Sequence, residues 1–246
     1  MKKILITGAN GQLGSCIKDT AAKFPDLEFV FVSKQDLDIE NLEELKACFK
    51  ENTFTHCINA AAYTHVEKAE SEKEKAFAIN AEGVKNIAEV CSENNVVLLH
   101  ISTDYVFDGK KKTPYLERDE PNPLNVYGAS KLKGEQNIQQ IYEKYFIFRT
   151  SWLYSQYGHN FLKTILRYAA AGKPLTITTE QTGAPTNAND LAEVLLHTIA
   201  QDNAHYGVYH YSNAGETTWY GFAKAILKAT EKYRDAKLAS TDHYRT

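Results

Sequence analysis

Short apolar runs alternate with amphipathic stretches along the first 150 residues. Ile4-Leu5-Ile6 predicts a strand, and Gly11 to Lys23 a helix. Phe29 to Val32 is a second strand, and Leu42 to Lys50 an amphipathic helix. Cys57-Ile58-Asn59 ends a third strand, and Ala69 to Glu93 has long helical periodicity with a break near Asn80. Val96 to Ile101 is continuous and apolar at its start, as a strand buried on both faces should be. Pro123 to Tyr142 is helical, and Phe146-Ile147-Phe148 is a fifth strand. Strand and helix alternate throughout, which predicts an α/β fold: a doubly wound parallel sheet of Rossmann type. After about Thr150 the pattern loosens. Helical runs at 160–171, 190–200 and 218–233 are separated by turn-rich segments around Pro174, Gly183-Ala184-Pro185 and Gly207. The expected division is a dinucleotide-binding domain over 1–150 and a smaller mixed lobe over 151–246. Some late segments are expected to return to the first sheet.

The 246 residues carry a formal net charge of -3, and no basic run exceeds Lys110-Lys111-Lys112, which follows Asp108-Gly109 and reads as a solvated loop tip. A nucleic-acid partner is not expected. No apolar stretch approaches the roughly 18 residues of a membrane-spanning helix. The apolar segment after Met1 is too short for a signal peptide, so a cytoplasmic protein is expected. Cys16, Cys48, Cys57 and Cys91 show no C-x-x-C spacing and read as free thiols, not as a metal site.

The first candidate chemistry is Thr7-Gly8-Ala9-Asn10-Gly11-Gln12-Leu13-Gly14, between a strand and a helix. Gly8 permits a tight turn, Gly11 lets backbone approach a pyrophosphate, and Gly14 lets the helix pack against the sheet, with the helix N-terminus facing the anion. An acid after strand two would grip ribose hydroxyls and favour NAD. Here the sequence is Ser33-Lys34-Gln35, which suits a 2′-phosphate, so NADPH is expected over NADH. Asp38-Ile39 can hold and cover an adenine, or belong to a helix-preceding turn. The alanines of Asn59-Ala60-Ala61-Ala62-Tyr63-Thr64 leave room for a ligand or mark tight packing.

The second candidate is Tyr127 and Lys131, four apart and hence on one helix face. Free tyrosine titrates near 10, and bringing it near 7 requires about 3 units, roughly 4 kcal/mol. A lysine, a cationic cofactor ring and a dry pocket together can supply that. Alone, Tyr-x-x-x-Lys is common on solvated helices. Thr103, in the Ser102-Thr103 pair ending the fourth strand, can reach the same pocket and hydrogen-bond a carbonyl or its alkoxide.

The glycine motif, Thr103 and Tyr127-x-x-x-Lys131 together resemble the extended short-chain dehydrogenase/reductases. Longer blocks resemble one branch, the dTDP-4-dehydrorhamnose reductases: residues 59–70, 102–109 and 123–131, Arg149 to Tyr154, Asn160-Phe161, Gln181 to Thr186, and Trp219-Tyr220. The resemblance implies reduction of the C4 ketone of a dTDP-6-deoxy-4-hexulose, the last step of dTDP-L-rhamnose synthesis. It implies Tyr127 as general acid, Lys131 lowering its pKa and holding the nicotinamide ribose, and Thr103 orienting the carbonyl. Asp104 and Trp152 would contact the sugar nucleotide. Gly11, Gln12 and Leu13 would wrap the pyrophosphate, with Asp38, Ile39, Ala62, Tyr63 and Thr64 along the cofactor.

Family members continue past the point where this chain stops, Thr246, so the resemblance also implies a substrate lobe lacking its last segment. Two other readings are a reductase or epimerase of another 4-keto sugar nucleotide, and a non-catalytic NADP-binding regulatory subunit. The sequence fixes no oligomeric state, and a homodimer is compatible with it.

Overall fold

The computed structural model describes residues 1–234 and 236–242; His243 to Thr246, the last residues of the chain, lie outside them. Five strands build the first layer: β1 (Lys2–Thr7), β2 (Leu27–Phe31), β3 (His56–Asn59), β4 (Val97–Thr103) and β5 (Tyr145–Thr150). A late strand, Gly207–His210, pairs with β5 and completes a six-stranded sheet. Every pairing in it is parallel, and β1 lies between β2 and β3. The strand order therefore reverses beside β1, so a crevice opens there at the carboxyl ends of the strands.

Alternation along the strands sends neighbouring side chains to opposite faces. Leu5, Cys57, Leu98 and Ile147 pack on one face against α2 (Leu42–Glu51), α5 (Gly83–Glu93) and α6 (Val126–Ile141). The helices α3 (Val66–Ala69) and α4 (Lys73–Phe77) precede α5. Ile4, Ile6, Ile58, Leu99, Phe146 and Phe148 pack on the other face, against α1 (Gln12–Thr20) and α8 (Ala188–Ala200). The late segments that return to the first layer are thus α8 and the sixth strand. Cys16, Cys57 and Cys91 are buried and, like Cys48, are free thiols.

The break near Asn80 is a π turn, Ala78–Glu82. Asn80 is fully buried there. Its Oδ1 accepts from the Tyr63 N–H, and its Nδ2 donates to the Tyr63 carbonyl and to Ser130 Oγ. One side chain thus ties the segment after β3 to α6.

A separate apolar cluster holds the smaller lobe. Ile165 of α7 (Phe161–Ala170), Leu175, and Phe222, Ile226 and Leu227 of α9 (Trp219–Ala229) form its centre. Among the described residues, no helix is long and apolar enough to cross a membrane.

Candidate active site

β4 ends at Thr103, and α6 begins at Val126 with Asn125 Oδ1 accepting from the Gly128 N–H as its cap. Gly128 is required by proximity. A Cβ there would lie 2.2 Å from the Tyr105 carbonyl oxygen, so only glycine lets α6 approach the segment after β4 this closely. That approach brings Tyr127 to Thr103, and the phenol and the threonine hydroxyl share a hydrogen bond. Thr103 Oγ1 also faces Asp104 Oδ1 at 3.2 Å and accepts from the Tyr105 N–H. The Tyr127 ring meets that of Tyr105 edge-on, 5.7 Å between centroids.

Lys131 is almost fully buried, 2 % exposed. Its Nζ donates to the Ile101 carbonyl at 2.6 Å and lies 3.4 Å from His100 Nε2. Burial pulls the ammonium down to about 8, with Glu135 acting in the opposite direction. Burial pushes the Tyr127 phenol up to about 12; the Thr103 hydrogen bond opposes this, while Asp104 and Tyr105 reinforce it. The protein side chains alone therefore do not produce the lowered phenol pKa expected from the Tyr/Lys pair. Lys131 is turned toward the strand backbone and does not act on Tyr127 in this state. Asp104 is exposed on one side, but the protein packed around its carboxyl lifts it to about 6, against hydrogen bonds from Thr103 and the backbone.

In the crevice beside β1, beyond the ends of β1, β2 and β3, lies a cleft of about 280 Å³, lined by Gly8, Asn10, Gly11, Ser33 to Gln35, Leu37 to Glu40, Ala60 to Ala62 and Ile79. Gly8 has φ +67°, and a Cβ there would lie 2.6 Å from the Ala61 nitrogen. Gly14 touches the same loop: its Cβ would lie 2.5 Å from the Gly8 oxygen. The N-terminus of α1 has no side-chain cap, which leaves its first N–H groups directed at the cleft for an anion. Leu13 is buried in the core beneath this turn.

Several predicted residues are placed differently from the simplest expectation. Gln12 uses its side chain elsewhere: Nε2 donates to the Leu153 carbonyl and Oε1 accepts from Asn160 Nδ2 at 2.6 Å, so only its backbone is left for a pyrophosphate. Tyr63 turns its ring away from the cleft. It packs with Ala69 and Ala76 beneath Tyr127, and its hydroxyl donates to Glu72. Thr64 is exposed. Lys34 is exposed and pairs with Glu40 at 2.5 Å and Asp38 at 3.3 Å, which hold its ammonium above the ordinary value. Ser33 Oγ donates to Asp36. Ile39 is buried against the site of Gly83.

Trp152 has φ +46°, a strained position for a large side chain. Its ring stacks on Trp219 with centroids 3.6 Å apart, and Gly183 provides the space behind it. Trp219 Nε1 donates to Gln181 Oε1, which fixes the pair at the edge of the smaller lobe.

A buried ion pair beneath the site was not singled out from the sequence. Glu135 and Arg149 meet at 2.6 Å, 1 % and 5 % exposed, and Ser102 also donates to Glu135. Two signals were available: Glu135 lies one turn past Lys131 on the same helix face, and Arg149 interrupts an apolar strand.

The model of the RmlD substrate binding domain matches residues 1–245. The chain belongs to that family. It is 40 % identical to dTDP-4-dehydrorhamnose reductase of Escherichia coli K12, over 93 % of this chain and 78 % of that protein. A crystal structure of a dTDP-4-dehydrorhamnose reductase from Clostridium acetobutylicum superposes with a TM-score of 0.92 at 41 % identity, over 97 % of this chain and 83 % of that one. The family member from Bacillus anthracis, crystallised in complex with NADP, gives 0.93 at 37 % identity, over 98 % and 85 % of the two chains. The doubly wound sheet and the smaller lobe described above are therefore the fold of this reductase family.

Proposed function

We propose that the chain reduces the C4 ketone of dTDP-4-dehydro-6-deoxy-L-mannose (dTDP-4-dehydrorhamnose) to give dTDP-L-rhamnose, using NADPH, in the cytoplasm. The observation that carries this reading is the convergence of Thr103, Tyr127 and Lys131 at the carboxyl end of β4 in a chain of this family. Bound NADPH supplies the hydride that C4 accepts. The Thr103 hydroxyl donates to the carbonyl oxygen and fixes its position. As negative charge gathers on that oxygen, the Tyr127 phenol gives it a proton. A phenol held up at about 12 is protonated at neutral pH, the state a general acid needs. Lys131, one turn on, supplies positive charge for the phenolate left behind. Asp104 and the Trp152 indole face the sugar nucleotide.

The cleft fits the cofactor. The backbone of Gly8, Gly11, Gln12, Leu13 and Gly14 presents N–H groups and close approach to the pyrophosphate. Asp38, Ile39 and the 62–64 backbone border the adenosine side, and Lys131 serves the nicotinamide ribose. Lys34 serves a 2′-phosphate, with its charge shared between Asp38 and Glu40. Replacing Glu40 with Gln removes the shorter of the two ion pairs of Lys34 and leaves only Asp38, so the ratio of kcat/KM for NADPH over NADH rises about 2–5-fold, the scale of one exposed charge pair. Lys34→Asp moves the ratio toward NADH. Steady-state kinetics with both cofactors checks both, and an unchanged ratio in the two variants means that Lys34 does not read the phosphate.

Gly183→Ala tests the substrate side. The new methyl meets Trp152 Cε2 at 2.6 Å and displaces the indole pair. KM for the sugar nucleotide rises about 5–10-fold, while the NADPH Kd, read by nucleotide fluorescence, stays within error. The reading as a whole is tested by NMR of the product formed from the 4-keto dTDP-sugar. A single reduced sugar with the rhamnose configuration at C4 supports it. The other C4 epimer indicates a sibling reductase, and recovery of an epimerised ketone indicates an epimerase.

A further inference from the structure

His100 lies in the middle of the buried β4 strand and is fully enclosed. Its hydrogen bonds are constrained from the neighbouring strand, β3. The Ala61 N–H, which can only donate, points at Asn59 Oδ1 at 3.2 Å, and Thr7 Oγ1 meets the same oxygen at 2.7 Å. The Asn59 amide is thereby oriented, with Nδ2 directed at His100 Nδ1, 3.1 Å away. An amide NH₂ can only donate, so Nδ1 must accept. Burial keeps the ring neutral, its pKa well below the ordinary histidine value. A neutral ring whose Nδ1 accepts carries its proton on Nε2. That N–H faces Lys131 Nζ at 3.4 Å.

An ammonium at Nζ meets this N–H donor to donor. An amine can accept from His100 with its lone pair while still donating to the Ile101 carbonyl. We propose that Ala61, Asn59 and His100 form a tautomer lock that presents an N–H donor to Lys131 and favours its amine over its ammonium. His100 is then a positioning residue for the proton equilibrium of the active site, fixed from the end of the neighbouring strand β3. The charged and titratable groups around Lys131 are Tyr127 and Glu135 on α6, His100 on β4, and Arg149 on β5, which is already paired with Glu135. Among the described residues, β1 and β3 contribute the neutral Thr7 and Asn59 to the network.

The functional consequence rests on the reductase reading: the ammonium is the form that stabilises the phenolate, so activity falls as pH rises through the Lys131 midpoint. The lock sets where that alkaline limb lies. The lock itself is tested without substrate or cofactor, so its failure is separable from failure of the reductase reading. In the ligand-free protein, nitrogen NMR of labelled histidine should show His100 protonated on Nε2 alone, and carbon NMR of the lysine side chains should follow the Lys131 midpoint, assigned with Lys131→Met. His100→Gln offers a carbonyl acceptor to Lys131, and the midpoint should rise by about one unit. Asn59→Asp is nearly isosteric and turns the partner of Nδ1 into an acceptor. It should move the histidine proton to Nδ1 and also raise the midpoint, which keeps the test open if His100→Gln fails to fold. A wild-type ring protonated on Nδ1 overturns the lock, as does a midpoint unmoved when Asn59→Asp switches the tautomer.

Discussion

Tyr127→Phe abolishes ketone-dependent NADPH oxidation to within about 10²–10⁴-fold below wild type, the range of a lost general acid. The NADPH Kd stays within about threefold, because Phe keeps the ring that meets Tyr105 edge-on and α6 keeps its Asn125 cap. Stopped-flow turnover and cofactor fluorescence on one preparation separate the two quantities. The loss falls on kcat, since the proton is delivered only as charge forms on the oxygen. Near-normal turnover in Tyr127→Phe removes Tyr127 from the acid role. The phenol's displacement to about 12 adds a constraint: loss of the phenol proton does not limit the rate below about pH 10, and an alkaline limb nearer 8 belongs to Lys131.

Glu135→Ala is expected to have the largest effect on stability. It leaves the Arg149 guanidinium buried between the Glu117 carbonyl, the Phe107 ring and His210 without its carboxylate. Removing one partner of a buried pair costs about 3–5 kcal/mol. For a chain of this size that lowers Tm by roughly 10 °C. The double variant Glu135→Leu/Arg149→Met recovers much of the loss, because apolar replacement of both partners removes the stranded charge. Urea titration checks both. A Glu135→Ala midpoint equal to wild type would show that the pair does not hold α6 to β5. Catalysis should fall as well, since Ser102, next to Thr103, donates to the same carboxylate.

The layered fold was legible because its cause is periodic. Buried parallel strands read as apolar runs, and helices that cover one face show the 3.6-residue pattern. The break near Asn80 was legible too, and it is a π turn pinned by that side chain. The positions of Thr103 at the end of β4 and of Tyr127 and Lys131 on one face of α6 were legible because they follow from element ends and helix period. Contacts that depend on chain-distant partners were not. Nothing near Gln12 in sequence foretells that its side chain is held by Asn160. Nothing near Trp152 foretells that Trp219 covers it. The pairing of Lys34 with Glu40 is local, but it needs the turn after β2 to form. Lys131 was expected to act on Tyr127, yet its Nζ donates to the Ile101 carbonyl of β4, because a buried ammonium gains more from a carbonyl acceptor than from a neutral phenol.

The most direct measurement is absorbance at the nicotinamide band when the 4-keto dTDP-sugar is added to the chain with NADPH. The account predicts that one NADPH is consumed per ketone, that dTDP-L-rhamnose is recovered, and that Tyr127→Phe shows neither. A folded chain that binds NADPH and leaves both cofactor and ketone unchanged would contradict it.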